Sequence, residues 1–322
     1  MIWRYRSSME EKTASCLLCP QHCRLRSGQT GRCHVRGNQG NGVEPLNYGE
    51  AASWHLDPIE KKPLFHFYPG SRIFSVGGFG CNLNCTFCQN YEISQSRQKG
   101  LRVTPEELAR QARGSLGLCF TYSEPTTWFE MIRDTAPLVR QNGGKVVLVS
   151  NGTIASRYIE ELIPFLDAVN IDIKAFTEEF YQKFCGGRLS WVLDTVERLA
   201  GRVHLEITTL VIPDANDDPR EIRELGRWLR QLDTPLAWHL SRFFPAYQLN
   251  TPPTDPQQLR KLWELAREEV EYVYLGNIAG GGTTFCPQCG QKVILRENYE
   301  IRNLLHNGKC PACGRGIFGV GL

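Results

Sequence analysis

The sequence predicts an α/β protein in which a parallel sheet, open or closed wholly or partly into a barrel, lies between two small cysteine-rich modules. Apolar segments typical of strands alternate with amphipathic segments typical of helices from about residue 71 to about residue 279. The two ends of the chain are instead rich in Gly and Cys. We therefore expect a metal-binding module at 1–45, a barrel domain at 46–280 and a zinc-ribbon-like module at 281–322.

Seven apolar segments predict strands, at 71–78, 116–122, 145–150, 168–174, 203–212, 236–240 and 271–277. Helical patterns separate them, at 104–113, 126–141, 155–166, 189–200, 218–232 and 255–269. The first helix has a clear start, because Thr104 suits the N-cap, Pro105 suits the first turn and Glu107 completes a capping box. Repeated βα units of this kind predict parallel strands joined by covering helices. No G-x-G-x-x-G motif follows the first strand, which disfavours a dinucleotide-binding fold.

Composition and charge favour a globular enzyme. The 322 residues carry a formal net charge of +3, which indicates neither a nucleic-acid nor a membrane-surface partner. The N-terminus lacks the apolar core of a signal peptide and no apolar run could span a bilayer, so a cytoplasmic location is expected. Of the 13 cysteines, 11 form three groups whose short spacings suit metal ligation better than disulfides. Cys119 and Cys185 stand alone, and the apolar run around Cys119 predicts a place in the core.

The C-terminal group has the spacing C-x2-C-x20-C-x2-C, formed by Cys286, Cys289, Cys310 and Cys313. Each half is a Cys-Pro-x-Cys-Gly knuckle, in which Gly permits the tight turn that lets backbone amides approach the thiolates. This spacing is typical of a zinc ribbon, and four thiolates close the coordination sphere of a structural ion. A rubredoxin-like iron site is the alternative.

The N-terminal group has the spacing C-x2-C-x3-C-x9-C, formed by Cys16, Cys19, Cys23 and Cys33. Four thiolates suffice for zinc or for a fully ligated auxiliary iron–sulfur cluster. We favour zinc for so compact a loop module, because nothing in the sequence demands an electron relay. His22 and His34 neighbour these cysteines and are alternative ligands.

The middle group has only three cysteines, Cys81, Cys85 and Cys88, spaced C-x3-C-x2-C directly after the first predicted strand. A four-iron cluster held by three cysteines keeps one iron open, and catalytic metal sites keep such a vacancy. Later strands also end in polar residues, including Glu124, Ser150, Asn151, Asp172, Lys174 and His239. Because barrels assemble active sites at the carboxyl ends of their strands, we expect these side chains to converge on one mouth.

The C-x3-C-x2-C motif followed by βα units closely resembles the radical S-adenosylmethionine (SAM) superfamily. The resemblance implies a partial (β/α)6 TIM-like barrel, a [4Fe-4S] cluster on Cys81, Cys85 and Cys88, and SAM chelated to the open iron. An electron from the cluster then splits the sulfonium to give a 5'-deoxyadenosyl radical. Phe87 takes the aromatic position that typically packs near the adenine. Glu124 matches an acid that accepts hydrogen bonds from the SAM amino group.

Further positions match the superfamily in order along the chain. Ser150 and Asn151 resemble the start of the Thr-Asn-Gly element of glycyl-radical activating enzymes. Asp172 and Lys174 resemble their Asp-Leu-Lys element, which implies that the ammonium of Lys174 pairs with the SAM carboxylate. His239 occupies the place of a histidine near the ribose and methionine moiety.

The ends of the chain narrow the resemblance. Four segments resemble the AmmeMemoRadiSam-system radical SAM enzymes, a group similar to pyruvate formate-lyase activating enzyme, namely 16–33, 57–70, 239–247 and 286–313. Arg242 and Tyr247 are candidates for substrate contact, because Arg can clamp a carboxylate with two hydrogen bonds. The resemblance does not specify the substrate.

We therefore expect a radical SAM oxidoreductase. A low-potential donor such as ferredoxin or flavodoxin would reduce the cluster, and the radical would take hydrogen from an unidentified small molecule or protein. One alternative is a glycyl-radical-enzyme activase acting on a protein glycine, although activases with extra clusters place those cysteines just after the three-cysteine motif. The other is a zinc-ribbon binding module with a non-catalytic barrel. Arg32 and Arg36 lend it modest support, but the balanced charge disfavours nucleic acid.

Overall fold

The computed structural model describes residues 13–297 and 300–322. The first twelve residues, for which the sequence predicts no signal peptide, lie outside the described residues, as does the start of the module expected at 1–45. Within the described residues, no helix combines the length and the apolar character needed to cross a bilayer.

The N-terminal region is dominated by loops, as its lack of periodicity predicts. Its short strands pair antiparallel, β1 (Ala14–Ser15) with β2 (Arg24–Leu25) and β3 (Arg36–Asn38) with β4 (Val43–Pro45). The β3 strand is tied to the rest of the protein, because Arg36 donates hydrogen bonds of 2.8 and 2.6 Å to the carboxylate of Glu130. Arg36 is therefore engaged in a partly buried ion pair and is not available to support a nucleic-acid-binding module.

Strands β5 to β14 follow, at Glu50–Ala51, Ser53–Pro58, Arg72–Gly77, Leu101–Arg102, Gly117–Phe120, Lys145–Ser150, Ala168–Asp172, His204–Val211, Ala237–Arg242 and Tyr272–Gly276. Eight of them form one sheet in the order β6-β7-β9-β10-β11-β12-β13-β14, and β5 pairs separately with β8. From β7 onward all neighbours in this sheet are parallel, whereas β6 is antiparallel to β7. All seven predicted strands are present. The edge strand β6 is not predicted, because its sequence SWHLDP is largely polar and ends in Pro.

The helices are α1 (Tyr91–Ser94), α2 (Pro105–Gln111), α3 (Phe129–Gln141), α4 (Ser156–Leu162), α5 (Glu178–Phe180), α6 (Leu189–Leu199), α7 (Pro219–Gln231) and α8 (Pro256–Glu269). The predicted capping box of α2 is present, since Thr104 accepts from the amide of Glu107 and the Glu107 carboxylate accepts from the amide of Thr104. Short 3-10 turns cover Ile59–Lys61, Pro125–Trp128 and Ile163–Phe165, and a π-helical turn covers Tyr181–Cys185.

The sheet is singly wound. Each parallel strand pairs with the next parallel strand of the chain, and α2, α3, α4, α6, α7 and α8 lie in the six crossovers. Without a reversal of strand order, right-handed crossovers place all the helices on one face, which is the arrangement of a barrel wall. No strand pairing within the described residues joins β14 to β6, so the barrel is partial. It contains the six expected βα units, followed by β14 as a seventh parallel strand.

The inner face of the first half of the sheet is filled by apolar side chains. Ile73, Cys119, Val147 and Ala168 project from successive strands and pack with Leu64 and Phe67. Cys119 is fully buried there, as the surrounding apolar run predicts. This packing gives the sheet a solid floor beneath its carboxyl ends.

The C-terminal region packs on the inner face of the second half of the sheet. It forms an antiparallel sheet of β15 (Thr284–Phe285), β16 (Lys292–Glu297) and β17 (Glu300–Asn303). Val293 and Ile294 are buried in one cluster with Tyr272 and Tyr274 of β14. The amide of Val320 also donates to the carbonyl of His66 at 2.8 Å, which fixes the chain end beneath the sheet. The C-terminal region thus covers the inner face of the sheet at β13 and β14.

Candidate active site

The carboxyl ends of the parallel strands surround a cavity of about 1760 Å³. Ten residues singled out in the sequence line it, namely Cys81, Cys85, Phe87, Cys88, Glu124, Ser150, Asn151, Asp172, Lys174 and His239. They come from the loop after β7 and from the ends of four later strands, where parallel strands bring side chains together. All the candidate site residues of the barrel therefore line this one cavity, except Arg242 and Tyr247.

The three-cysteine loop is held by hydrogen bonds from both sides. The amides of Asn84 and Thr86 donate to the carbonyls of Cys185 and Phe184, at 2.8 and 2.9 Å, in the π-helical turn. At the sulfur atoms, Cys81 Sγ accepts from the amide of Leu83 at 3.4 Å and from Asn151 Nδ2 at 3.5 Å. Ser94 Oγ lies 3.2 Å from Cys88 Sγ. These donors would stabilise negative charge on the sulfur atoms.

A fourth thiol, that of Cys185, contacts the loop. Its hydrogen bond to Cys85 is the main reason that the pKa of Cys85 is lowered, and the positive charge of Lys174 adds to the effect. Burial raises the pKa of Cys185 well above its usual value, and the contact with Cys85 adds to the effect. No sequence signal identifies this contact, because 100 residues separate the two cysteines and neither spacing nor periodicity links them.

Glu124 joins the ends of β9 and β10. Its Oε1 accepts from Ser150 Oγ at 2.8 Å and from the amide of Thr126 at 3.0 Å, and its Oε2 accepts from the amide of Asn151 at 2.8 Å. Burial raises the pKa of the Glu124 carboxyl. A carboxylate can accept about four hydrogen bonds, so roughly one acceptor position remains for a ligand.

Lys174 supplies a buried positive charge to the cavity. Its Nζ lies 3.1 Å from Asp172 Oδ2 and 6.0 Å from the centre of the Phe87 ring. Burial alone would lower the pKa of Lys174, but the negative charges of Asp172 and Cys85 hold it well above its usual value. Phe87 is buried and packs against Phe180 with ring centres 5.8 Å apart. The ammonium is therefore charged and lies between a carboxylate and an aromatic wall.

His239 belongs to a buried polar network centred on Glu206. Its Nε2 lies 2.7 Å from Glu206 Oε2, and His204 Nε2 lies 3.0 Å from Glu206 Oε1. The amides of Phe65 and His66 also donate to this carboxylate. Burial would raise the pKa of Glu206, yet the two histidines hold it well below its usual value. Sequence reasoning missed Glu206, although a Glu in the middle of an apolar strand was a usable signal.

Arg242 and Tyr247 lie away from the cavity. Arg242 Nε donates to the carbonyl of Thr254 at 2.7 Å, and its guanidinium lies 4.8 Å from the centre of the Phe244 ring. The Tyr247 ring stacks on Tyr91 with centres 4.7 Å apart. Both side chains therefore have other partners and do not line the cavity.

Several cavity residues were not predicted as site residues. Lys62 Nζ and Tyr122 Oη donate to Asp57 Oδ2 at 2.8 and 2.5 Å. Burial would raise the pKa of Asp57, but these two hydrogen bonds outweigh it and lower the pKa to about 2. Arg296 reaches the cavity from the C-terminal region and donates to Thr284 Oγ1 at 2.8 Å. Long-range placement of this kind leaves no local pattern in the sequence.

The four C-terminal cysteines converge on one point. Cys286 Sγ and Cys313 Sγ are 3.5 Å apart, Cys289 Sγ and Cys310 Sγ are 3.6 Å apart, and all four sulfur atoms lie within 4.8 Å of one another. Four zinc–sulfur bonds of about 2.3 Å in a tetrahedron place the sulfur atoms roughly 3.8 Å apart. The set therefore fits a single tetrahedral ion.

Comparison with known proteins gives the chain a family. A sequence model of the Radical SAM superfamily matches residues 75–226. An uncharacterised protein of Methanocaldococcus jannaschii, MJ0808, is 38% identical over 326 residues, which is 96% of each chain. Pyruvate formate-lyase 1-activating enzyme of Escherichia coli is 27% identical over 166 residues, covering 48% of this chain and 66% of that enzyme.

A solved structure shares the fold. Streptococcus suis SuiB bound to S-adenosylmethionine superposes with a TM-score of 0.52 and 15% identity, over 71% of this chain and 56% of that one. A likeness at this identity concerns the fold alone. Together with the three-cysteine loop at the carboxyl end of β7, these matches show that the chain belongs to the radical SAM superfamily and is similar to pyruvate formate-lyase activating enzymes.

Proposed function

We propose that the protein is an enzyme that cleaves SAM reductively at a [4Fe-4S] cluster held by Cys81, Cys85 and Cys88. The observation that carries the proposal is the placement of three thiols, a buried ammonium and a buried carboxyl around one cavity. When bound, the cluster and SAM together supply a 5'-deoxyadenosyl radical that abstracts hydrogen from a substrate. The protein's own contribution is to bind, to orient and to exclude water.

The residues present fit this cofactor pair. Three thiolates leave one coordination position free, which a fourth cysteine would close. Cys185 lies against Cys85, where its thiol would donate to the sulfur of a ligand instead of closing the open position. The cavity volume of about 1760 Å³ exceeds the roughly 300–1,000 Å³ typical of a single small-molecule site. It has room for SAM and a substrate together.

Charge in the cavity is arranged to suit the methionine part of SAM. Lys174 is a buried cation that would attract a carboxylate, and charge-assisted hydrogen bonds are strong where water is excluded. Asp172 keeps the ammonium of Lys174 charged and in place at 3.1 Å. Phe87 offers an aromatic surface for a base.

Glu124 has a positioning role as well as a binding one. Through Ser150 and Asn151 it fixes the end of β10, and Asn151 in turn donates to Cys81 Sγ. Its remaining acceptor position would take a hydrogen bond from the SAM ammonium. His239, oriented by Glu206, would contact the ribose end from the opposite side of the cavity.

The C-terminal region would act structurally. We infer that its four cysteines hold zinc, because four converging thiolates leave no open position for chemistry. The bound ion would fix β16 against the barrel, so that Arg296 lies at the cavity. A folded C-terminal region would therefore shape the substrate side of the site.

A low-potential ferredoxin or flavodoxin would supply the electron, and a small molecule or a protein would supply the hydrogen. A glycyl-radical-enzyme activase is the second candidate, and the similarity to the E. coli activating enzyme favours it. That similarity covers 48% of this chain.

The test is product formation. Protein reconstituted anaerobically with iron and sulfide is mixed with dithionite and SAM, and 5'-deoxyadenosine is measured by chromatography. We expect product from the wild type and none from Cys85→Ala. Cys119→Ala is the matched control, since that cysteine is equally buried but lies in the apolar inner core. Absence of product from the wild type, or an equal yield from Cys85→Ala, would overturn the proposal.

A further inference from the structure

The N-terminal cysteines lie directly against the three-cysteine loop. The carbonyl of Cys33 packs on Gly80, so closely that a Cβ at Gly80 would lie 2.4 Å from the oxygen. On the other side of Cys81, Gln21 Nε2, from between Cys19 and Cys23, donates a hydrogen bond of 2.9 Å to the carbonyl of Asn82. Successive Cα atoms are about 3.8 Å apart. Both chain neighbours of Cys81 therefore touch the segment that carries the N-terminal cysteines.

A chain of hydrogen bonds joins the two regions. Asn82 is 2% exposed, its carbonyl accepts from Gln21, and its Oδ1 accepts from Asn151 Nδ2 at 2.9 Å. Asn151 Nδ2 also lies 3.5 Å from Cys81 Sγ. Gln21, Asn82 and Asn151 thus link the segment between Cys19 and Cys23 to a sulfur of the three-cysteine loop.

The spread of the sulfur atoms distinguishes the N-terminal group from the C-terminal one. Across residues 13–297 and 300–322, the C-terminal four are the one group of three or more cysteine, histidine or acidic side chains whose ligand atoms all come within 4.8 Å. A single zinc ion needs such closeness, whereas a four-iron cube is larger and holds its thiolates farther apart. The sulfur atoms of the four N-terminal cysteines do not form such a close group, and neither do those of Cys81, Cys85 and Cys88.

Two of the four N-terminal cysteines are buried and the other two are half-buried. The amide of Cys16 donates to the carbonyl of Cys23 at 2.9 Å, which keeps these two together across β1 and β2. Cys16 and Cys33 are each 7% exposed, and the fully buried Val35 packs with Cys33. Burial from solvent is what a redox cluster needs to exchange electrons without side reactions.

A positive charge lies between the two sites. The guanidinium of Arg32, the residue before Cys33, packs on Gly186, where a Cβ would lie 1.9 Å from Arg32 Nη2. Gly186 directly follows Cys185, the thiol that contacts Cys85. A cation in this position stabilises an added electron on either side, since net charge and hydrogen bonds set cluster potentials.

We propose that Cys16, Cys19, Cys23 and Cys33 hold a second, fully ligated iron–sulfur cluster that passes single electrons to the cluster at the three-cysteine loop. In each transfer the N-terminal cluster is oxidised by one electron and the other cluster is reduced by one; no bond or proton changes place. A low-potential iron–sulfur or flavin protein reduces the N-terminal cluster again. The relay rests on the proposed function. The iron–sulfur cluster takes the place of the zinc ion that the compact spacing of the N-terminal cysteines predicts.

The identity of the metal is tested in the variant C81A/C85A/C88A, which keeps all four N-terminal cysteines. The protein is reconstituted anaerobically with iron, sulfide and zinc, and the metals and acid-labile sulfide are counted. We expect about four iron atoms and one zinc ion per chain, with an electron paramagnetic resonance (EPR) signal after dithionite. Two zinc ions and no iron would overturn the proposal. This readout needs no SAM, so it separates failure of the relay from failure of SAM cleavage.

The proximity of the clusters is tested by EPR power saturation of the N-terminal signal. A neighbouring reduced cluster is a paramagnet that speeds relaxation. The half-saturation power in the fully reduced wild type should therefore be severalfold higher than in C81A/C85A/C88A. An equal value in the two proteins would contradict a relay between adjacent clusters.

Discussion

The thiol of Cys185 lies against that of Cys85, a cysteine 100 residues earlier in the chain that belongs to the three-cysteine loop. The π-helical turn that carries Cys185 also accepts backbone hydrogen bonds from that loop, from Asn84 and Thr86. Residues that contact the ligands of a metal site affect its redox potential, as the ligands themselves do. The contact therefore has a measurable electronic consequence.

Replacing Cys185 with Ala should lower the reduction potential of the cluster. A hydrogen bond to a cluster sulfur stabilises the reduced, more negative state. If that preference amounts to roughly 1 kcal/mol, the potential falls by on the order of 40 mV. An EPR-monitored redox titration gives the value, with Cys119→Ala as control. A potential at or above that of the wild type would show that Cys185 donates no such bond.

Replacing Lys174 with Met should weaken SAM binding. The methionine side chain keeps much of the apolar volume but removes the cation that faces the cavity. A lost charged hydrogen bond of about 1.5–3 kcal/mol corresponds to a dissociation constant roughly 10- to 150-fold higher. Anaerobic equilibrium dialysis with labelled SAM measures it. The control is Lys183→Met, which changes an exposed lysine in the π-helical turn. Equal affinity of both variants would remove Lys174 from the binding site.

Replacing Asp57 with Asn should destabilise the protein in a pH-dependent way. Lys62 is 3% exposed and would lose its carboxylate partner, at a cost of about 3–5 kcal/mol near neutral pH. The pKa of Asp57 is lowered from 3.8 to about 2, so its stabilising effect is complete above about pH 4 and is lost as the pH falls toward 2.

The free energy of unfolding in urea, measured from pH 7 down to pH 2.5, checks this expectation. The difference between wild type and Asp57→Asn should shrink as the pH falls. Glu268→Gln is the control, because Glu268 forms an exposed ion pair with Arg223 worth less than about 1 kcal/mol. A difference that stays constant down to pH 2.5 would mean that the Asp57 carboxylate is not specially stabilised.

Replacing Cys289 with Ser should release zinc without releasing iron. The C-terminal cysteines converge far from the three-cysteine loop in sequence, and their cluster with Tyr272 and Tyr274 is separate from the main core. We expect the zinc content to fall by about one ion per chain, the iron content to stay and the unfolding temperature to drop. Elemental analysis and calorimetry measure these quantities. Loss of iron in proportion to zinc would contradict separate sites.

Much of the fold is predictable because its signals are local. Each of the seven parallel strands is an apolar run, and the capping box at Thr104 lies within four residues. The strand-end rule then places Glu124 and Lys174 at one cavity without any knowledge of the packing. Periodicity and turn chemistry carry this information along a few residues of sequence.

The missed features depend on packing between distant segments. Cys185 meets Cys85 only because a π-helical turn folds against the loop, and Arg296 reaches the cavity only because the C-terminal region packs inside the barrel. Arg242 also depends on packing, since this strand-end arginine donates to the carbonyl of Thr254 in the following loop. A local sequence pattern does not determine whether such a side chain faces the cavity or a neighbouring loop.

The central claim is an open iron at Cys81, Cys85 and Cys88 that binds SAM. The most direct measurement is electron–nuclear double resonance on the reduced protein with SAM labelled by nitrogen-15 in the amino group and oxygen-17 in the carboxylate. We expect hyperfine coupling from both labels in the wild type. Reduced protein that binds labelled SAM yet shows coupling from neither label would contradict the account.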